Sequence, residues 1–279
     1  MALALAQICG GTIINADASQ LYADLRIVSA RPSVADEAQA PHRLYGVLDG
    51  DDIANAARWA GMARAAIDAE IAAGRLPILV GGTGMYLSSL IDGIAPVPDI
   101  DADVRAQVRS LETAAAAAAL AREDPALAAR LQPADRQRLL RGLEVIRSSG
   151  RSLRDWQQDR VGGIAADFDV RGMIVDADRE LLRARVAPRL WAMIDAGALD
   201  EVAALLARAL PADRPVLRAL GVAEFAAVLA ETMDRDAAVA AATTATRQYQ
   251  KRQLTWARSQ APGWARVADA AGAAAILLR

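Results

Sequence analysis

Lysine is all but missing from this chain of 279 residues: Lys251 is the only one, and every other basic side chain apart from a single histidine is an arginine. Cysteine and histidine also occur once each, as Cys9 and His42. A lone cysteine excludes an intrachain disulfide framework and a zinc site built from several thiolates, and it suits a reducing compartment; Cys9 reads as a core residue. A lone histidine excludes a Ser-His-Asp triad or a two-histidine metal site that does not use His42, and its setting in PHRLYGVLD reads as structural or minor binding. No apolar run approaches the roughly 20 residues that cross a bilayer. The Ala/Leu opening has no positive residue ahead of it, and its apolar stretch, Met1 to Ala6, is short for a signal peptide. The expectation is a cytoplasmic protein with no membrane partner. The formal net charge is −2, so any nucleic-acid site has to be a local patch.

A hydrophobic fraction of 54% supplies ample core material. Three stretches read as buried strands, Thr12 to Ala16, Pro77 to Val80 and Val170 to Val175, each followed by turn chemistry and a helical pattern, the rhythm of an α/β parallel sheet. Ala54 to Ala73 reads as a helix closed by Gly74, and another helix spans Met85 to Ile91. From Asp99 the pattern becomes helical and more charged, and the alanine tract Ala114 to Ala119 is high helix propensity that needs no function. Residues 1–100 and about 165–279 form the expected α/β core, with a helical segment at about 100–165. RVADAAGAAAILLR at the end supplies a last strand and helix. Met1 to Cys9 reads as the back half of a helix, stopped by Gly10 and Gly11.

The stretch VGGTG, Val80 to Gly84, leaves a strand and enters a helix, where open α/β sheets bind ligands. Glycines there let a ligand approach the backbone and Thr83 offers a hydroxyl, although a plain turn explains the same residues. Asp17 follows the first strand; a carboxylate there can ligate Mg²⁺, act as a general base, or cap the next helix, which is the commonest use. In DRQRLLR, Arg138 and Arg141 are three apart and Gln137 and Arg141 four apart on one helical face. TRQYQKRQLTWAR stacks Arg247, Lys251 and Arg258 along another. Such faces suit phosphate and base contacts, although a charged helix face is more often merely solvated.

Taken together, DASQLY at Asp17 to Tyr22, PHRLYGVLD, PILVGGTGMYLSSLIDG, DRQRLLRGLEV and TRQYQKRQLTWAR follow the order and approximate spacing of the bacterial tRNA dimethylallyltransferases. From Met1 to about Arg258 the chain resembles this isopentenyl-tRNA transferase family. The resemblance implies a P-loop-NTPase-like α/β fold of nucleotide-binding (ATP-binding) type, a parallel sheet with a helical insertion. It implies transfer of a dimethylallyl group from dimethylallyl diphosphate to N6 of adenine 37, beside the anticodon, with Mg²⁺, by a monomer. It also implies roles: Asp17 as the base, with Thr83 and Arg105 at the diphosphate, and Asp17, Ala18, Ser19 and Gln20 on the tRNA. Further tRNA contacts are Gln137, Arg138, Leu139, Leu140 and Arg141, then Arg218, Arg247, Lys251 and Arg252.

The chain departs from the family at Ala18, where Ser is usual, at Val222, where Tyr is usual, and at Gln250, where Ala is usual. It also lacks the family's first strand and its loop of the form G-P-T-A-S-G-K-S/T, since Lys251 has no glycine loop ahead of it. The expectation is a start codon assigned too late, with roughly 15 to 20 upstream residues encoding one strand and a phosphate loop. The alternative is a specialised or degraded homologue that binds tRNA without catalysis. A small-molecule kinase of the same fold would also use a VGGTG turn and an R-x-R such as Arg183 and Arg185, but leaves the QRLLR and KRQLTWAR helices unexplained.

Overall fold

The structure, a computed structural model, describes residues 1–175 and 178–277. Helix α1 (Ala2–Cys9) stops at Gly10, and strand β1 (Gly11–Asn15) follows. A 3-10 turn (Ser19–Leu21) and helix α2 (Val34–Glu37), held by a capping box at Ser33, lead to strand β2 (His42–Arg43). Helix α3 (Ala56–Ala72) returns the chain to β3 (Leu76–Val80), from which α4 (Gly84–Ile91) departs. Next come α5 (Ala102–Arg109), α6 (Thr113–Glu123), α7 (Pro125–Ala128), α8 (Arg136–Ser149) and α9 (Leu153–Trp156). The last part holds β4 (Met173–Val175), α10 (Arg179–Asp195), α11 (Ala198–Ala207), α12 (Val222–Leu229), α13 (Arg235–Gln260), β5 (Ala265–Val267) and α14 (Ala270–Leu277). The chain divides into two compact units, Met1–Leu90 with Phe168–Arg279, and Ile91–Asp167.

In the first unit a parallel sheet runs in the order β2-β1-β3. All five residues of β1 are buried, as in a central parallel strand covered on both faces. Glu70 of α3 ties the three strand entries together. Its carboxylate is 2.6 Å from the Thr12 hydroxyl that donates to it, 2.9 Å from Arg43 Nε and 2.5 Å from Arg75 Nε. These partners hold the buried carboxyl well below the usual range, at about 2, with Arg75 the largest cause.

Two sequence expectations are corrected in this unit. The strand expected over Val170 to Val175 starts only at Met173, opposite Ala265, where its partner strand begins. Nor does β4 join β1 and β3: it pairs in parallel with β5 as a separate two-stranded sheet. The short strand β2 has no counterpart in the sequence reading. Smaller shifts follow from caps: Asn55 accepts the Arg58 amide, so α3 opens at Ala56 and not Ala54.

The second unit is helical. Its core is Val108, Ala116, Ala119, Leu120, Leu127, Leu139, Leu140 and Leu143. The alanine tract therefore does more than favour a helix: Ala116 and Ala119 are the buried, small positions of α6 where it packs on α8.

Candidate active site at the ends of β1 and β3

Because β1 and β3 are adjacent and parallel, their carboxyl ends open at one place, the usual ligand position of such sheets. Asp17 lies just beyond β1 and Thr83 just beyond β3. Buried Asn15 fixes the backbone between them: its Oδ1 accepts the Asp17 amide at 2.8 Å, and its Nδ2 donates to the carbonyls of Asp17 (2.9 Å) and Leu44 (3.0 Å). Leu44 has a φ of 64°, a rare conformation for a branched side chain. The two strand ends are also laced directly. The Thr83 amide donates to the Ala16 carbonyl (3.2 Å), and the Ala18 amide donates to Thr83 Oγ1 (3.0 Å). Residue 18 makes this bond through its backbone, so the bond itself does not depend on whether alanine or serine stands there.

Asp17 Oδ1 accepts the Ser19 amide at 2.9 Å, so Asp17 does cap the turn that follows. Burial nevertheless outweighs that bond and pushes the carboxyl above its usual range. Three of the chain's four tyrosines lie near enough to this carboxylate to be affected by it. Tyr45, Tyr86 and Tyr249 all feel its charge, and Tyr86 also feels Tyr22. Burial first, then nearby charge, pushes Tyr86 up to about 12 and raises Tyr45, where Glu37 adds to Asp17, so both remain neutral hydroxyls at neutral pH. Tyr86 stacks on Trp59 at 4.9 Å, and the Trp59 indole donates to the Asn15 carbonyl at 2.9 Å.

Helix α13 covers the VGGTG turn with residues that the sequence reading did not single out. Gln253 Nε2 donates to the Gly82 carbonyl (3.1 Å) and the Tyr249 hydroxyl to the same oxygen (3.4 Å), while Trp256 Nε1 reaches Ser88 Oγ (3.3 Å). A Cβ on Gly82 would stand 1.6 Å from Gln253 Nε2, and one on Gly84 2.4 Å from the Trp256 ring. The expectation that these glycines admit a ligand to the backbone is thus corrected: they admit α13. The signal was available as Tyr249, Gln253 and Trp256 at i, i+4 and i+7, a single helical face.

The opposite face of α13 forms, with α10, a groove of about 750 Å³ whose lining includes Arg179, Arg183, Arg247 and Lys251 with one carboxylate, Glu180. Glu180 is already engaged by Arg183 at 3.0 Å, so the groove is net positive. Arg252 lies between the two faces, 5.4 Å over the Tyr249 ring. Arg218 ends a 3-10 turn (Pro215–Arg218) and is exposed.

Of the DASQ segment, Asp17, Ala18 and Ser19 form the turn itself. Gln20 is committed elsewhere, since its Nε2 donates to the carbonyls of Ser29 (3.0 Å) and Ala30 (3.1 Å). The remaining expected residues belong to the second unit. Arg105 is exposed on α5 with no side-chain partner among the described residues. Gln137, Arg138 and Arg141 are exposed along α8, but Leu139 and Leu140 are buried in that unit's core. Expected as tRNA contacts, those two leucines have side chains that serve packing instead. Buried Glu144 holds both Arg109 (3.2 Å) and Arg141 (3.8 Å), leaving a net positive pair.

Residues 20–260 match the model of the IPP transferase family. The chain is similar to the tRNA dimethylallyltransferase of Sphingopyxis alaskensis, with 56% identity over 95% of this chain and 88% of the relative. It is also similar to that of Zymomonas mobilis, with 47% identity over 96% and 86%. Among solved structures it resembles the tRNA isopentenylpyrophosphate transferase of Bacillus halodurans, with a TM-score of 0.67, 27% identity, and coverage of 95% of this chain and 84% of that one. In fold it also resembles a eukaryotic dimethylallyltransferase acting on tRNA, with a TM-score of 0.79, 24% identity, and coverage of 92% and 65%. A match of this extent, on a chain whose strand ends carry the Asp17–Thr83 pair, places the protein in the IPP transferase family.

Proposed function

We propose that this protein transfers the dimethylallyl group of dimethylallyl diphosphate to the exocyclic N6 of adenine 37 in tRNA and releases pyrophosphate, working as a monomer in the cytoplasm. The observation that carries the reading is the buried carboxylate of Asp17 just after β1, beside an Ala18 amide that is bonded to Thr83 just after β3, in a chain more than half identical to an enzyme of that name. An amine conjugated to a purine is a weak nucleophile. As the N6–carbon bond forms and the allylic carbon–oxygen bond breaks, a proton must leave N6, and Asp17 receives it. Its raised pKa suits this, because a base works best near the working pH, and such a base contributes roughly 10²- to 10⁴-fold in rate.

Thr83 Oγ1 accepts the Ala18 amide and its hydroxyl stands beside that of Tyr249; its O–H is proposed as a donor to the departing pyrophosphate, where negative charge grows. Arg105 is proposed for the same leaving group, as the resemblance implies. Tyr45 and Tyr249, partly exposed near Asp17, are proposed to offer neutral aromatic surface to the isoprenyl chain and the adenine, which must leave its stack to react. The α10–α13 groove, with Arg247 and Lys251, suits the phosphates of the tRNA, as do Arg138 and Arg141 on α8, while Arg218 and Arg252 add exposed positive charge.

Among the described residues no group of three or more His, Cys, Asp or Glu is arranged to hold a metal ion. Mg²⁺ is proposed to arrive with the diphosphate, since it takes most of its ligands from water and substrate phosphates, which leaves Asp17 to act as the base. When bound, the ion neutralises charge on the pyrophosphate.

The test uses the Asp17→Asn variant, whose amide oxygen can still accept the Ser19 amide. With labelled donor and unmodified tRNA, transfer is expected to fall by roughly 10²-fold or more while tRNA affinity stays within a few fold. Transfer within tenfold of wild type would remove Asp17 as the base.

A further inference from the structure

We infer that Gln253 is a positioning residue of the transfer reaction, holding Thr83 in place through the carbonyl of Gly82; this rests on the reading of Thr83 given above. Thr83 stands between two glycines that are each pinned to α13. On one side Gln253 Nε2 and the Tyr249 hydroxyl both donate to the Gly82 carbonyl. On the other the Trp256 ring lies on Gly84. Gly82 does not have a positive φ, so its backbone conformation is open to any residue, and what demands glycine there is the space taken by Gln253. With both neighbours held, the Thr83 amide keeps its bond to Ala16 and the hydroxyl keeps its bond to Ala18. Gln253 therefore places the hydroxyl without touching a reacting atom. It also stands on the helix face opposite Arg247 and Lys251, so its work is separate from contact with an anion in the α10–α13 groove.

Displacement of a catalytic group by an ångström costs on the order of 10²-fold in rate. Gln253→Ala is expected to lower kcat by about 10- to 100-fold with KM for tRNA and for the diphosphate changed less than about threefold. Gln253→Glu, which keeps the shape but loses the donor, serves if the alanine variant does not fold, and the same loss is expected. Gly82→Ala pushes Gln253 off the carbonyl and should reproduce the defect, yet add nothing in a Gln253→Ala background, where the smaller side chain leaves room. A ligand approaching the Gly82 backbone would instead make Gly82→Ala costly in both backgrounds, and that additive result would overturn the inference.

Amide hydrogen exchange across residues 81–84 gives a readout independent of turnover: the Thr83 amide should exchange faster in Gln253→Ala. Unchanged exchange overturns the inference even if the wild-type chain shows no transfer, an outcome that by itself counts only against the proposed reaction.

Discussion

At the scale of a single residue, Asp17 shows a conflict between folding and chemistry. Burial raises its pKa in the fold above that of the unfolded chain. Its contribution to stability is therefore complete below the unfolded carboxylate range and is lost as pH rises through the raised value. At neutral pH the ionised carboxylate weighs against the fold. Asp17→Asn should accordingly raise Tm at neutral pH while it removes transfer, and the gain in Tm should shrink as the pH falls and wild-type Asp17 becomes neutral. Thermal unfolding of the two forms across pH checks this; a lower Tm for the variant at neutral pH would mean that other groups stabilise the charge more than burial opposes it. The transfer rate of the wild type should likewise fall on the acid side at a pH above the ordinary aspartate range, as the base is protonated. Asp17 and Thr83 were legible in the sequence as a carboxylate and a hydroxyl just after two strands, but capping or a plain turn explained them as well, and their roles came only from the family resemblance. Tyr249 and Gln253 were not, because the basic residues interleaved with them on α13 point to the other face.

Among the elements, the sheet depends on Glu70, which joins Thr12 of β1, Arg43 of β2 and Arg75 ahead of β3 to α3. Its pKa of about 2 lies below that of the unfolded chain. The stability it contributes is present above the unfolded glutamate range and disappears as the pH falls toward 2. Glu70→Gln should cost roughly 1–3 kcal/mol at neutral pH, since Gln cannot satisfy two guanidiniums and the buried Thr12 hydroxyl equally. The deficit should narrow in acid, and a constant deficit at all pH values would show that packing, not charge, is what Glu70 supplies.

On α8 the exposed pair Arg138 and Arg141 gives a different expectation. Replacing either by Ala should weaken tRNA binding and reduce the slope of log affinity against log salt by about 0.7–0.9 for each phosphate that the helix no longer neutralises; unchanged slopes would return α8 to a merely solvated face. The sequence showed β1, β3 and α4 well because their apolar runs and glycine stops are local signals. It did not show that β4 pairs with β5, since strand partners are chosen by tertiary packing. It did not show β2, whose two residues carry no period to detect.

At the level of the whole molecule, a net charge of −2 conceals local surfaces of opposite sign. Arginine supplies nearly all the positive charge, and its planar fork suits phosphate better than a lysine point charge does. The family was legible because five motifs fall in order along the chain, whereas the division of labour within each motif was not: QRLLR presents three polar residues and buries two leucines. The central claim is that Asp17 and Thr83 carry prenyl transfer to one adenine. Its most direct test is to incubate the protein with labelled dimethylallyl diphosphate, Mg²⁺ and unmodified tRNA, digest the RNA, and locate the label by mass spectrometry. Label is expected on N6 of the adenosine beside the anticodon at position 37 and on no other nucleoside; label elsewhere, or tRNA bound with no label transferred, would contradict the claim.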